Sequence, residues 1–328
     1  MKTLVLSMIS IAATVAAMTA CTSESDPVDE VGKDSKVEIK LNAGVGNIIT
    51  KAAVENTNNP LNIFFCKSTD GATSDWGTAE PIYSKIETGG AILFYTDENR
   101  NTKKQLYYNA DETLLSWLSG CYLGDATIDG GGQTLTNNSV SFTIDGQDDI
   151  MATNGLSGSK KTNFASFEFN HLLSNLEFVI TTSEDATAQD ITNIQTIFGK
   201  VTSIDVLDQS NNLTLTLTET PALTVKGATK DKFSVTNAIN IEKNKTYGNI
   251  MVFPTTGLGK TDNLIKIKVH TEKSTADGIS VDVKIGDGTV GLVTKTKYEV
   301  TLKFSPSSVS ATATIGEWKP GEGSGTVE

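Results

Sequence analysis

Histidine, arginine and cysteine are scarce in this 328-residue chain, and each shortage removes a class of chemistry. The two histidines, His171 and His270, lie far apart in sequence, and there is no C-x-x-C. A zinc site, or any resident metal, is therefore not expected. Arg100 is the only arginine, so the side chain that grips phosphate and carboxylate with two parallel hydrogen bonds is almost missing. Against 39 acidic residues there are 27 basic ones, which leaves a net charge of −12. No basic block is present to neutralise a nucleic-acid backbone or an anionic lipid surface. No G-x-S-x-G elbow presents a serine nucleophile. The carboxylates are scattered and read as a solvated acidic surface. These absences argue against an enzyme, a cofactor and a nucleic-acid partner. After the first 20 residues, no apolar run is long enough to span a bilayer.

Those first residues read as an export signal. Lys2 supplies a positive start, residues 4–17 are apolar, and Thr19 and Ala20 place small side chains before Cys21. The expected cut lies between Ala20 and Cys21, with lipid on the Cys21 thiol, so residues 1–20 are a lipoprotein signal peptide. Several acyl chains on one residue hold a protein at a membrane where a single chain is marginal. Residues 21–36 are polar and acidic, cannot bury a core and read as a flexible tether.

The rest of the chain is dominated by period-two alternation. Val37, Ile39, Leu41, Ala43 and Val45 form one apolar face of a first strand. Val140, Phe142 and Ile144 repeat the pattern, as do Leu213, Leu215 and Leu217. Ile265, Ile267 and Val269 do the same, and so do Tyr298, Val300, Leu302 and Phe304. Each run is a half-buried strand, and Gly, Asn and Asp clusters separate the runs. Many short strands of this kind predict an all-β fold of sandwich type. Helical signals are confined to residues 188–198 and residues 112–118. A Gly, Ser and Lys run at residues 155–162 predicts a division into a first domain over 37–163 and a second over 164–328. Cys66 and Cys121 allow either a disulfide or two separately buried thiols. Residues 286–291 match G-x-G-x-x-G, but the flanks on both sides are strand-like, so Asp287-Gly288 reads as a turn. Gly259-Lys260-Thr261 lacks the leading glycine of a phosphate loop, because that position is Pro254. Trp76, Trp117 and Trp318 read as core or interdomain residues, and His171 as a locally hydrogen-bonded one.

Four segments resemble the fimbrillin family, the type V pilins of Bacteroidetes. Ile48-Ile49-Thr50-Lys51-Ala52 is similar to its processing segment. Gln147-Asp148-Asp149-Ile150-Met151-Ala152 is similar to its DIM motif, and residues 169–178 to its F-x-H-x-L-x-x-L-x-F strand. Ile315-Gly316-Glu317-Trp318 is similar to its C-terminal ending. Glu24 and Asp26 resemble the signal that sends lipoproteins of these bacteria to the outer face. The resemblance implies two tandem transthyretin-like β-sandwich domains and a stalk or tip subunit of a cell-surface fimbrium. It implies a precursor held at the outer membrane by its lipid, then cut by a surface protease between Lys51 and Ala52. The first strand would leave, and a donor strand from another fimbrial subunit would replace it. A host or bacterial surface ligand would be a further partner. Lys51 stands where the family often has arginine, and the glycine-rich tail after Trp318 makes a poor donor strand, which would suit a tip subunit. The alternative reading is a permanently anchored surface lipoprotein that binds glycans or host protein.

Overall fold

The computed structural model describes residues 36–45, 60–129 and 135–316. They are almost wholly β, with one α-helix among them. In chain order the first strands are β1 (Leu41–Val45), β2 (Leu61–Gly71), β3 (Glu80–Ile86), β4 (Ala91–Tyr95), β5 (Lys103–Lys104), β6 (Leu115–Tyr122), β7 (Thr127–Ile128), β8 (Ser139–Thr143), β9 (Met151–Ala152), β10 (Leu156–Gly158) and β11 (Phe167–His171). After β12 (Ser174–Thr181) comes α1 (Ala188–Phe198). Then follow β13 (Val201–Ser210), β14 (Asn212–Thr216), β15 (Ala222–Val225), β16 (Lys230–Ile239), β17 (Lys245–Val252), β18 (Ile265–Thr271), β19 (Ile279–Val283), β20 (Lys297–Ser305) and β21 (Ser308–Gly316).

Nine strands make one sheet that closes on itself. It runs β1, β11, β9, β6, β2, β3, β4 and back to β1, with β5 beside β4 and β10 beside β6. Ile63, Phe65, Ile92, Phe94, Phe167 and Phe169 fill its interior. β2 shows how sequence sets this position. Ile63 and Phe65 belong to that interior, whereas Phe64 and Cys66 belong to a second core on the other face. A strand buried on both sides carries a continuous apolar run rather than alternation, and Ile63-Phe64-Phe65-Cys66 is such a run.

Three four-stranded sheets share the second core. The orders are β17-β12-β20-β21, β16-β13-β18-β19 and β15-β14-β8-β7. Phe178 and Val300 come from the first, Ile204 and Val269 from the second, and Phe142 and Leu213 from the third. Here the alternation read from the sequence holds: Leu213 and Leu215 are fully buried while Thr214 and Thr216 are half-exposed.

Several expectations change. The sheets do not divide at residue 163. β11 lies beyond that point yet pairs with β9 and β1, and β8 lies before it yet pairs with β14. The Gly, Ser and Lys run contains β10 and ends in a tight turn closed by Ser159 and Thr162; β10 lies beside β6 and β11 beside β9 and β1, so the chain passes through the turn without leaving the sheet. Residues 112–118 are not helical, because Leu115–Tyr122 forms β6 between β2 and β10. The burial available on both faces of β6 outweighs its helical pattern. Residues 292–294 lie outside any strand. The turn at residues 285–288 is present, closed by the Gly288 N–H donating to the Ile285 carbonyl at 2.8 Å. α1 starts where expected, on a reciprocal capping box between Thr187 and Asp190.

Cys66 and Cys121 are buried and free. The register explains this. Cys66 faces Ser119 and Cys121 faces Phe64, so the two cysteines are diagonal neighbours on adjacent strands. Diagonal positions lie roughly 7–8 Å apart, beyond usual disulfide reach. Arg100 serves the scaffold. Its guanidinium donates to the carbonyls of Ser84, Glu98 and Ile63 and lies against the Phe64 and Tyr83 rings.

Candidate functional site: the seam of the first strand

β1 is the strand at which the nine-stranded sheet closes, and it uses a different partner on each edge. It runs antiparallel to β4, with Leu41 opposite Ile92 and Asn42 opposite Ala91. It runs parallel to β11, with Ala43 opposite Phe167, Gly44 opposite Glu168 and Val45 opposite Phe169. Ahead of β1 the backbone is already tied in. Tyr108 N–H donates to the Val37 carbonyl at 3.0 Å, and Ile39 N–H to the Leu106 carbonyl at 2.8 Å. Ala43 N–H donates to the Gly90 carbonyl at 2.7 Å.

The inward face consists of Ile39, Leu41 and Ala43, which are 3%, 4% and 9% exposed. Lys40 and Asn42 point to solvent. The core beneath them is aromatic. Phe65 lies edge-on to Phe94, Phe167 and Phe169, with ring centroids 6.0, 5.0 and 6.2 Å away. Gly120 on β6 makes room for that ring, since a Cβ there would lie 2.8 Å from Phe65 Cζ.

Of the expected inward face, Val37 is corrected. It is 37% exposed, because it sits at the rim, one residue ahead of the Glu38–Tyr107 bridge where the chain joins the sheet. The Val45 side chain lies outside the described residues, as do Ala20, Cys21, Lys51, Ala52 and Trp318. The walls of the seam were not legible in advance. Phe167 and Phe169 alternate with Glu168 and Asn170, which announces a strand, but nothing local names β1 as its neighbour.

The seam with β4 is only partly zipped. Beyond Asn42 and Leu41 the two strands separate around an open groove of about 520 Å³. Ile39, Leu41, Ile92 and Phe94 line it, and Lys40 and Lys103 rim it. A strand held by a short ladder on one side and a groove on the other has fewer contacts to break than an internal strand.

Beside the seam, β11 ends in a buried, hydrogen-bonded His–Asp pair. His171 Nδ1 is 2.8 Å from Asp149 Oδ1, and the two side chains are 4% and 2% exposed. Burial pushes the Asp149 carboxyl up, and the His171 hydrogen bond opposes that shift. Next to it Asp148 is raised to about 6, first by burial and then by repulsion from Asp145 and Asp125. On the outer sheet Asp205 accepts from Ser234 Oγ at 2.7 Å and from Lys232 Nζ at 3.1 Å, and lies 3.1 Å from His270 Nε2. The serine and the histidine each contact the aspartate rather than one another, so this is a support for the sheet and not a nucleophile relay. Among the described residues no three His, Cys, Asp or Glu groups are placed to hold a metal ion, and no helix is long and apolar enough to cross a membrane.

No family model matches the chain, and no curated relative does. Solved structures do share its fold. A protein of Bacteroides ovatus, provisionally named a cell adhesion protein, superposes with a TM-score of 0.59 at 15% identity, covering 87% of this chain and 99% of its own. One of Bacteroides uniformis, named in the same way, gives 0.58 at 15% identity over the same shares. A C-terminally truncated tip fimbrial protein of Porphyromonas gingivalis gives 0.43 at 10% identity, too distant a match to weigh. Over most of its length, then, this chain has the all-β fold of two Bacteroides proteins that carry a provisional cell-adhesion name.

Proposed function

We propose that the protein is a non-enzymatic subunit of a cell-surface fimbrium, with a role in adhesion. The precursor is exported as a lipoprotein on Cys21 and assembles by exchange of its first strand. The observation that carries this reading is the position of β1. It is the first strand of the described residues, and among them it alone joins β4 to β11. Cutting between Lys51 and Ala52 would free it with the lipid. Two sheet edges and the Phe65–Phe94–Phe167 floor would then face water, and unpaired edges over an apolar floor are a strong template for an added strand. The lipid and tether keep the strand in place until the cut, so polymerisation waits for the surface protease.

The likeness to the two Bacteroides folds supports the reading at the level of architecture. The C-terminal strand β21 is an edge strand with Ile315 69% exposed, which suits contact with a neighbouring subunit. The test is N-terminal sequencing of protein shed from the surface, with electron microscopy of the same cells. Filaments whose subunits begin at Ala52 are expected. Subunits that always begin at Cys21, on cells without filaments, would leave a permanently anchored lipoprotein as the better account.

A further inference from the structure

A second concavity lies away from the β1 seam, where the closed sheet meets two of the other three. It has a volume of about 310 Å³ and is lined by Asn154 after β9, Asn170 of β11, Pro221 ahead of β15, Phe253 and Pro254 after β17, and Lys295 ahead of β20. Clefts at such junctions are favoured ligand sites, and this volume is at the small end of the usual range. The lining divides into two kinds. Phe253, Pro254 and Pro221 offer half-buried apolar surface. Asn154, Asn170 and Lys295 offer polar ends. The Asn170 amide donates to the Glu168 carbonyl and keeps its oxygen as an acceptor. Asn154 and Lys295 are exposed and stand at the rim of the cleft.

Lys295 has φ = +59°, in the left-handed region that a lysine rarely adopts. Its N–H is held by the Leu173 carbonyl at 3.1 Å. Glycine would fit this backbone without strain, so the lysine side chain is kept at a conformational cost, and residues held in this way cluster at ligand sites.

We propose that this cleft binds a single carboxylated sugar ring. The C–H face of a pyranose lies on Phe253 and the prolines, its hydroxyls meet the amides of Asn154 and Asn170, and its carboxylate meets the Lys295 ammonium. The cleft is too small for a folded partner. The chain's net charge of −12 repels a polyanion, whereas one carboxylate beside one lysine is compatible with it. This goes beyond the assembly reading and does not rest on it: the site is complete in the precursor, so a protein that never exchanges β1 would still bind.

The test is a ligand-observed NMR titration of the lipid-free chain from Thr22 onward, with D-glucuronate, D-glucose and acetate as probes. Saturable glucuronate binding is expected, with glucose weaker by at least about tenfold and acetate showing no saturation. Lys295→Gly should lose the preference for glucuronate over glucose while holding or raising the melting temperature, because it relieves the backbone. Phe253→Ala should weaken both sugars. Equal binding of acetate and glucuronate would reduce the site to a lysine that attracts any anion. Equal binding of glucose would remove the role of Lys295. No saturation by any probe, or Lys295→Gly binding glucuronate as the parent does, would overturn the proposal.

Discussion

Removal of β1 gives the most direct test of the seam. A chain starting at Ala52 lacks Ile39 and Leu41, each buried to within a few percent, and the smaller Ala43. At roughly 1.5–3 kcal/mol per large apolar side chain, the two account for about 3–6 kcal/mol. Leaving aside the ladders to β4 and β11, the three backbone bonds to Leu106, Tyr108 and Gly90 add roughly 0.5–1.5 kcal/mol each. The gross loss is then about 5–10 kcal/mol, comparable with the whole stability of a typical domain. The truncated chain should therefore bind a hydrophobic dye and melt earlier than the parent. A peptide of residues 36–46 supplied in trans should reverse both effects. Its affinity will be modest, because association of a free peptide costs at least about 4 kcal/mol of lost freedom. Specificity is the decisive readout. A Leu41→Ala peptide should bind about 30-fold or more weaker, matching a loss of at least about 2 kcal/mol from a buried leucine. A Val37→Ala peptide should bind nearly as well as the parent, since Val37 is at the rim. Equal binding of the Leu41→Ala and parent peptides, or a truncated chain that neither binds dye nor loses stability, would refute the account of the slot.

Three further outcomes follow from the same region. Gly120→Ala puts a Cβ 2.8 Å from the Phe65 ring and should cost about 1–3 kcal/mol in a urea titration, with the largest loss in signals of the closed sheet. His171→Ala leaves the Asp149 carboxylate buried without its partner and should cost about 3–5 kcal/mol, part of which a second change, Asp149→Asn, restores. Asp148 has a folded-state pKa near 6, above its usual value, so the native protein holds this proton more tightly than the unfolded chain. Its contribution to stability is present below about pH 4 and is lost as the pH rises towards 6. Asp148→Asn should therefore gain stability relative to the parent across that window, as read from melting temperatures at pH 4, 5, 6 and 7.

The individual strands were legible because a strand's side chains alternate and its turns need particular residues. Leu213-Thr214-Leu215-Thr216 could not hide its buried face, and the helical signal over residues 188–198 matches α1. The first strand was legible too, as an apolar face over residues 37–45, of which Ile39, Leu41 and Ala43 are buried and Val37 is at the rim. What alternation does not carry is the identity of the neighbour. Hydrogen bonds along a strand edge are made by backbone and are the same for every sequence, so β1 could not be assigned to β11, whose paired residues lie 124 positions later (Ala43 with Phe167). The misplaced division at residue 163 has the same origin: a glycine-rich turn signals a bend, while the sheet to which the next strand returns is chosen by packing. Residues buried on both faces, such as Phe64 and Phe65, obscured the period and with it the central place of β2. The sequence by itself therefore determined an all-β chain whose first strand is amphipathic. Only the tertiary structure made that strand the closure of a sheet, because closure depends on two edges that meet in space and are distant along the chain.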